Sequence, residues 1–162
     1  MLVLEMGWRT DRVRDADESV RWRPALRVTA AGVWAGQAGD GRWVVGRPGR
    51  HVMRVDSPAG VIALLPLLER PMAGVAAELG AGSLSGHGLG FERVVDAAFD
   101  ERAGAHWAGL AIAWINAGFP AAFYRDGLQQ VLSDKRIDQR ARQAAGRILA
   151  REFPLARRPQ PG

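Results

Sequence analysis

The sequence predicts an α+β fold dominated by helices, with a small N-terminal antiparallel β-meander followed by five or six packed helices. Three observations predict it. Residues 25–56 are short Val- and Trp-rich runs separated by glycine-containing turns. From residue 58 onward, apolar residues recur at the 3.6-residue period of an amphipathic helix. A chain of 162 residues, 48% hydrophobic and 24% charged, is the length and make-up of one globular domain. That domain is placed over 1–153. Residues 154–162 hold Pro154, Pro159 and Pro161 and are expected to be a disordered tail.

Residues 9–23, RTDRVRDADESVRWR, are dense in both signs of charge and read as a solvated arm or loop that Pro24 ends. The meander occupies 25–56, with strands in ALRVTA, GVWAG, RWVVGR and RHVMRVD. QAGDG (37–41) and RPGR (47–50) carry turn chemistry, since Gly supplies positive φ and Pro presets φ. Trp34 and Trp43 flank the first turn, and one register of it sets them face to face.

The helical part spans 58–152. Ser57-Pro58 is a cap followed by Pro at the first helical position. Pro66 kinks or restarts that helix, and a strand at 61–65 is the competing reading. Pro71 opens a second short helix that Gly80 stops. GAGSLSGHGLG (80–90) reads as a flexible linker; its glycines match neither GxGxxG nor the P-loop with its Lys-Ser/Thr. Phe91, Val94, Val95, Ala98 and Phe99 then mark a helix, as do Trp107, Leu110, Ala111, Trp114 and Ile115, the latter set pointing to a central core helix. Phe123 to Leu132 and Ile137 to Leu149 mark the last two.

Composition narrows the chemistry. There is no cysteine, which excludes disulfides, thiolate metal sites and a cysteine nucleophile. His51, His87 and His106 lack partners at metal-ligand spacing, apart from His106 near Asp100 and Glu101. No GxSxG elbow accompanies Ser83, Ser85 and His87. No catalytic set, cofactor site or metal site is therefore expected. The longest apolar run, 61–68, is broken by Pro66 and falls short of the ~20 residues that cross a bilayer. The N-terminus lacks the basic region and cleavage site of a signal peptide, so a cytoplasmic protein with no membrane partner is expected.

Arginine outnumbers lysine 21 to 1, a bias that a GC-rich genome also produces. The distribution of charge says more. Residues 1–132 hold 14 basic and 14 acidic side chains, so the net charge of +5 sits in 133–162. On a continuous helix Arg136, Arg140, Arg147 and Arg151 fall within about 60° of one another, with Gln143 on the edge of the stripe. Guanidiniums in a row suit carboxylates or phosphates; the same row also serves as the wet side of a packed helix. Glu92, Asp96 and Asp100, at i, i+4 and i+8, form a second candidate surface for a cation or a basic partner. Of the six tryptophans, Trp107 and Trp114 read as core, while Trp8 and Trp22 lie in polar context, where an exposed ring is a common binding anchor.

WAGLAIAWI, LQQVLSDK and QRARQAAGRIL, all within 107–149, resemble small helical immunity proteins of bacterial polymorphic toxin systems. The resemblance covers about a quarter of the chain and rests mostly on core positions. It implies a dedicated protein partner, such as a cognate toxin, and no catalysis. The function expected is a non-catalytic module that binds a protein with an acidic surface through Arg136, Arg140, Gln143, Arg147 and Arg151, and the resemblance implies an immunity-type inhibitor. The alternatives are a nucleic-acid-binding accessory protein using the same helix and tail, and a small hydrolase or transferase built around 80–106.

Overall fold

The computed structural model describes residues 6–155. Most of the expected tail, 156–162 with Arg157 and Arg158, lies outside them. Length predicts one domain over 1–153; by its internal contacts the chain divides into two compact units, one reaching to Ala97 and the other starting at Ala98. The class is α+β, strands first and helices after. Two finer parts of the expectation do not hold. The strands form a closed five-stranded barrel, not an open antiparallel meander. Helices take 42% of the chain, so they do not dominate it.

The barrel strands are β1 (Arg9–Val13), β2 (Ser19–Arg27), β3 (Trp34–Ala38), β4 (Trp43–Gly46) and β5 (His51–Arg54). Successive strands pair antiparallel. The ring closes where β1 meets β5 in parallel, through Arg12 opposite His51 and Val13 opposite Val52. An odd number of up-and-down strands puts the first and last in the same direction, so closure has to be parallel.

The supposed arm at 9–23 is thus β1 and most of β2. Side chains of a strand alternate between faces. In β2 the residues Val20, Trp22, Pro24 and Leu26 turn inward, and Ser19, Arg21, Arg23, Ala25 and Arg27 turn out. Pro24 does not end the strand; it lies at a register shift between Pro24 and Leu26, where a missing N–H is tolerated. Trp22 is fully buried and packs with Val13, Val20, Ala38, Val44 and Val52. Its indole N–H donates to Asp11 Oδ2 at 2.8 Å, and the Gly49 N–H donates to the same oxygen at 3.1 Å. Asp11 therefore joins the seam strand to its neighbour and to the β4–β5 turn. Trp34 pairs with Gly46 and Trp43 with Gln37, so the two indoles lie on opposite faces and do not meet.

Three helices complete the first unit: α1 (Pro58–Leu64), α2 (Met72–Leu79) and α3 (Phe91–Ala98), with a 3-10 turn over Leu65–Glu69. The competing strand at 61–65 is not formed. Ser57 caps α1 by accepting the Gly60 N–H at 3.1 Å, and Pro58 stands at its first turn. Pro66 falls in the 3-10 turn. α1 packs on β4, where the adjacent Val44 and Val45 are both fully buried; one faces the lumen and the other the helix.

The second unit contains a 3-10 turn over Glu101–Ala103, then α4 (Ala105–Asn116), α5 (Arg125–Ser133) and α6 (Gln139–Glu152). Its core is Ala111, Ile112, Trp114 and Ile115 with Leu128, Val131, Ala145 and Ile148. Trp114 is buried as expected, whereas Trp107 is only half-buried. Gly127 of α5 lets Phe99 close on the helix: a Cβ there would stand 2.7 Å from the ring. No single helix among the described residues is long and apolar enough to cross a membrane.

Candidate functional site

The α6 stripe survives with one member displaced. Asp138 caps α6, accepting the Ala141 N–H at 2.9 Å, so Arg136 precedes the helix. Its guanidinium is bound by Asp134 at 2.7 Å and reaches Glu101 at 3.4 Å. That pairing holds the Asp134 carboxyl down at about 2. Arg140, Arg147 and Arg151 do share one side of α6, within about 40° of each other and spread over roughly 16 Å. They are exposed, with Gln143 exposed beside them, while Ala144, Ile148 and Ala145 are buried along the flank that adjoins the stripe.

Partners sort these arginines. In the second unit Arg102 binds Asp100, Arg125 lies over Phe153, Arg142 donates to the Ile137 carbonyl and Arg151 pairs with Glu152. Among the described residues of that unit, Arg140 and Arg147 are the arginines with no partner within the chain. The first unit engages Arg54 with Glu18 and Asp40, and Arg70 with Glu78.

The acidic row of Glu92, Asp96 and Asp100 is not continuous on one helix. α3 ends at Ala98, so Asp100 leaves the helical track and caps the next turn. Arg102 binds it at 2.8 Å and holds its carboxyl down at about 2. Glu92 accepts the Gly86 N–H at 2.6 Å. Burial pushes its carboxyl up, but that bond and one from Ser85 outweigh burial and leave it below its ordinary value. Of the three acids, Asp96 is the exposed one, beside the exposed Arg93 on α3.

The glycine-rich segment 80–90 is packed. Leu84 and Leu89 are buried. The His87 ring lies between Trp43 and Phe91, at 5.3 and 5.9 Å between centroids. Its Nδ1 accepts the Leu89 N–H at 3.1 Å, so the imidazole is neutral with its proton on Nε2. Burial lowers its pKa, and the nearby Glu92 charge opposes that only in part. An open cleft of about 480 Å³ is lined by Arg27, Glu69, Arg70 and Glu78, and one of about 220 Å³ by Met53 and His51. The hollow touching Asp100 has about 20 Å³, room for one water. None of these includes His87, His106 or Asp96 in its walls. The hydrolase or transferase reading gains no geometry from them.

One surface escapes sequence reading. Outward residues of β1 and β2 include Thr10, Arg12, Ser19, Arg21 and Arg23, and Thr10 stands opposite Arg21. Trp8, just before β1, is 48% exposed, with the Arg21 guanidinium 5.1 Å from its ring centroid. The signal was the period-2 alternation of SVRWRPALR, hidden by its charge.

Comparison of the chain with family models, with curated proteins and with solved structures found no match in any of the three.

Proposed function

We propose that this chain is a non-catalytic, cytoplasmic binding module that engages an acidic protein partner through the exposed side of α6, with Arg140 and Arg147 at its centre and Gln143 and Arg151 beside them. The observation that carries it is the contrast in partners. The other described arginines of the helical unit are held by a carboxylate, a carbonyl or a ring, whereas Arg140 and Arg147 stand on a capped helix with no acid of their own. Two guanidiniums on one rigid helix lose little freedom when they grip carboxylates, and bidentate pairing gives orientation as well as attraction. The resemblance of 107–149 to small helical immunity proteins supports a cognate toxin or effector as that partner.

The test is capture of partners from the native host by the full chain and by the Arg140→Glu/Arg147→Glu variant. The partner is then purified and titrated against both. Truncating or reversing buried charge contacts costs about 2 kcal/mol or more, so at least about a 30-fold loss is expected. Equal affinity for both chains refutes the reading.

A further inference from the structure

We propose that the outer face of β1 and β2 is a binding site for single-stranded nucleic acid, with Trp8 as a stacking platform and Arg12, Arg21 and Arg23 as phosphate contacts. This site shares no residue with the α6 surface and does not depend on that reading.

Sign selection is the first support. Residues 9–54 hold ten arginines against five acidic residues. Within β1 and β2 the lone carboxylate, Asp11, is turned into the barrel, 7% exposed, and bound by the Trp22 and Gly49 N–H groups. The outward positions of the two strands therefore carry arginine and small or neutral residues only. Of the three acids in the connecting turn, Glu18 is paired with Arg54 and Asp15 with Arg14, while Asp17 is exposed. Such a face attracts a polyanion.

Spacing and shape select the kind of polyanion. Arg21 and Arg23 are two residues apart on one strand face, roughly 6.7 Å, close to the interval between successive phosphates of an extended strand. Trp8 is half-exposed where Trp22 of the same unit is fully buried, and the Arg21 guanidinium lies over its ring. An exposed indole among guanidiniums suits the π-face of a base. A duplex hides those faces within its stack, and an acidic peptide has none. α1 packs on β4 and α2 on β2, yet Arg12, Ser19, Arg21 and Arg23 on the outer face remain exposed.

The experiment titrates a labelled oligothymidylate with the full chain, reading anisotropy and tryptophan quenching across a salt series. Binding that weakens steeply with salt is expected. Trp8→Ala should weaken it about tenfold at unchanged salt slope, since a stacked base is lost and no phosphate contact is. Arg12→Gln and Arg23→Gln should each flatten the slope of log K against log salt by about 0.7. Arg140→Glu/Arg147→Glu should leave oligonucleotide affinity unchanged. These side chains are exposed, and circular dichroism of each variant checks the fold. The proposal is overturned by absence of binding at low salt. It is equally overturned if the matching duplex binds as well and Trp8→Ala has no effect, which is phosphate adhesion alone, or if polyglutamate competes as effectively as the oligonucleotide.

Discussion

The barrel and the helical unit secure their interiors by different means. The barrel encloses a buried charged side chain, Asp11, bound to an indole and a backbone N–H. The helical unit has no buried charged side chain among its described residues and relies on fit, with Phe99 seated against Gly127. A helix satisfies its own backbone, so its position is set by packing alone. A ring of strands must also find the register of its last pairing, and a directional hydrogen bond specifies register where apolar contacts do not. The lesson is that the two units should fail for different reasons.

Asp11→Ala tests the barrel side and should be the most damaging change. It leaves the Trp22 and Gly49 N–H groups without their acceptor, at a cost of about 3 kcal/mol in urea denaturation followed by tryptophan fluorescence. A loss under about 1 kcal/mol would remove the distinction between the units. The helical side is tested by a matched pair of glycines. Gly127→Ala in α5 forces a Cβ against Phe99. Overpacking of this kind costs about 2 kcal/mol, which exceeds the ~1 kcal/mol that alanine gains in a helix. Gly109→Ala in α4 meets nothing within 4 Å, so it should stabilise by up to about 1 kcal/mol. Equal effects at both positions would show that shape does not govern this unit.

Acid should act on the first unit through His87. Burial sets its folded pKa below the ordinary 6.5. The unfolded chain then binds the proton more readily, so the stability from neutral His87 is intact above pH 6.5 and is lost as pH falls through 6.5 toward the folded pKa. His87→Phe keeps a ring between Trp43 and Phe91 and should flatten that dependence. The smallest effect lies at Asp100, a partly exposed carboxyl held at about 2 by Arg102. Arg102→Ala should return it toward the ordinary carboxylate range in a carbon-detected NMR titration.

The helical unit was the more legible because its signals are local. Trp107 to Ile115 repeat at helical spacing over a whole element, and α4 lies there. Errors came at helix ends. Arg136 and Asp100 continue the helical period arithmetically, but Asp138 caps α6 and α3 stops at Ala98, so neither lies on its helix. Asp138 is a cap residue in sequence terms as well, and a cap outweighs the periodicity that runs through it. The barrel was less legible for two reasons. The arginines that decorate β1 and β2 mask an alternation that Val20, Trp22 and Leu26 carry plainly. The parallel meeting of β1 with β5 joins residues 39 positions apart, Arg12 and His51, and no local pattern announces it. Of the candidate surfaces, α6 was visible as charge on a helix, whereas Trp8 with Arg21 needed the strand register to bring them together.

That short parallel seam has a further consequence. A ring of strands offers no edge on which another chain can build, whereas one break in the ring exposes two edges at once. Here the break has a defined place, because two residue pairs and the Arg14 N–H to Val52 carbonyl bond hold the seam. Opened there, β1 of one molecule can close on β5 of another and the reverse, so two rings join at their seams with every native pairing kept and no strand leaves its own neighbour. Asp11 ties β1 to the β4–β5 turn through the Gly49 N–H, so Asp11→Ala is expected to raise the dimer fraction in size-exclusion chromatography.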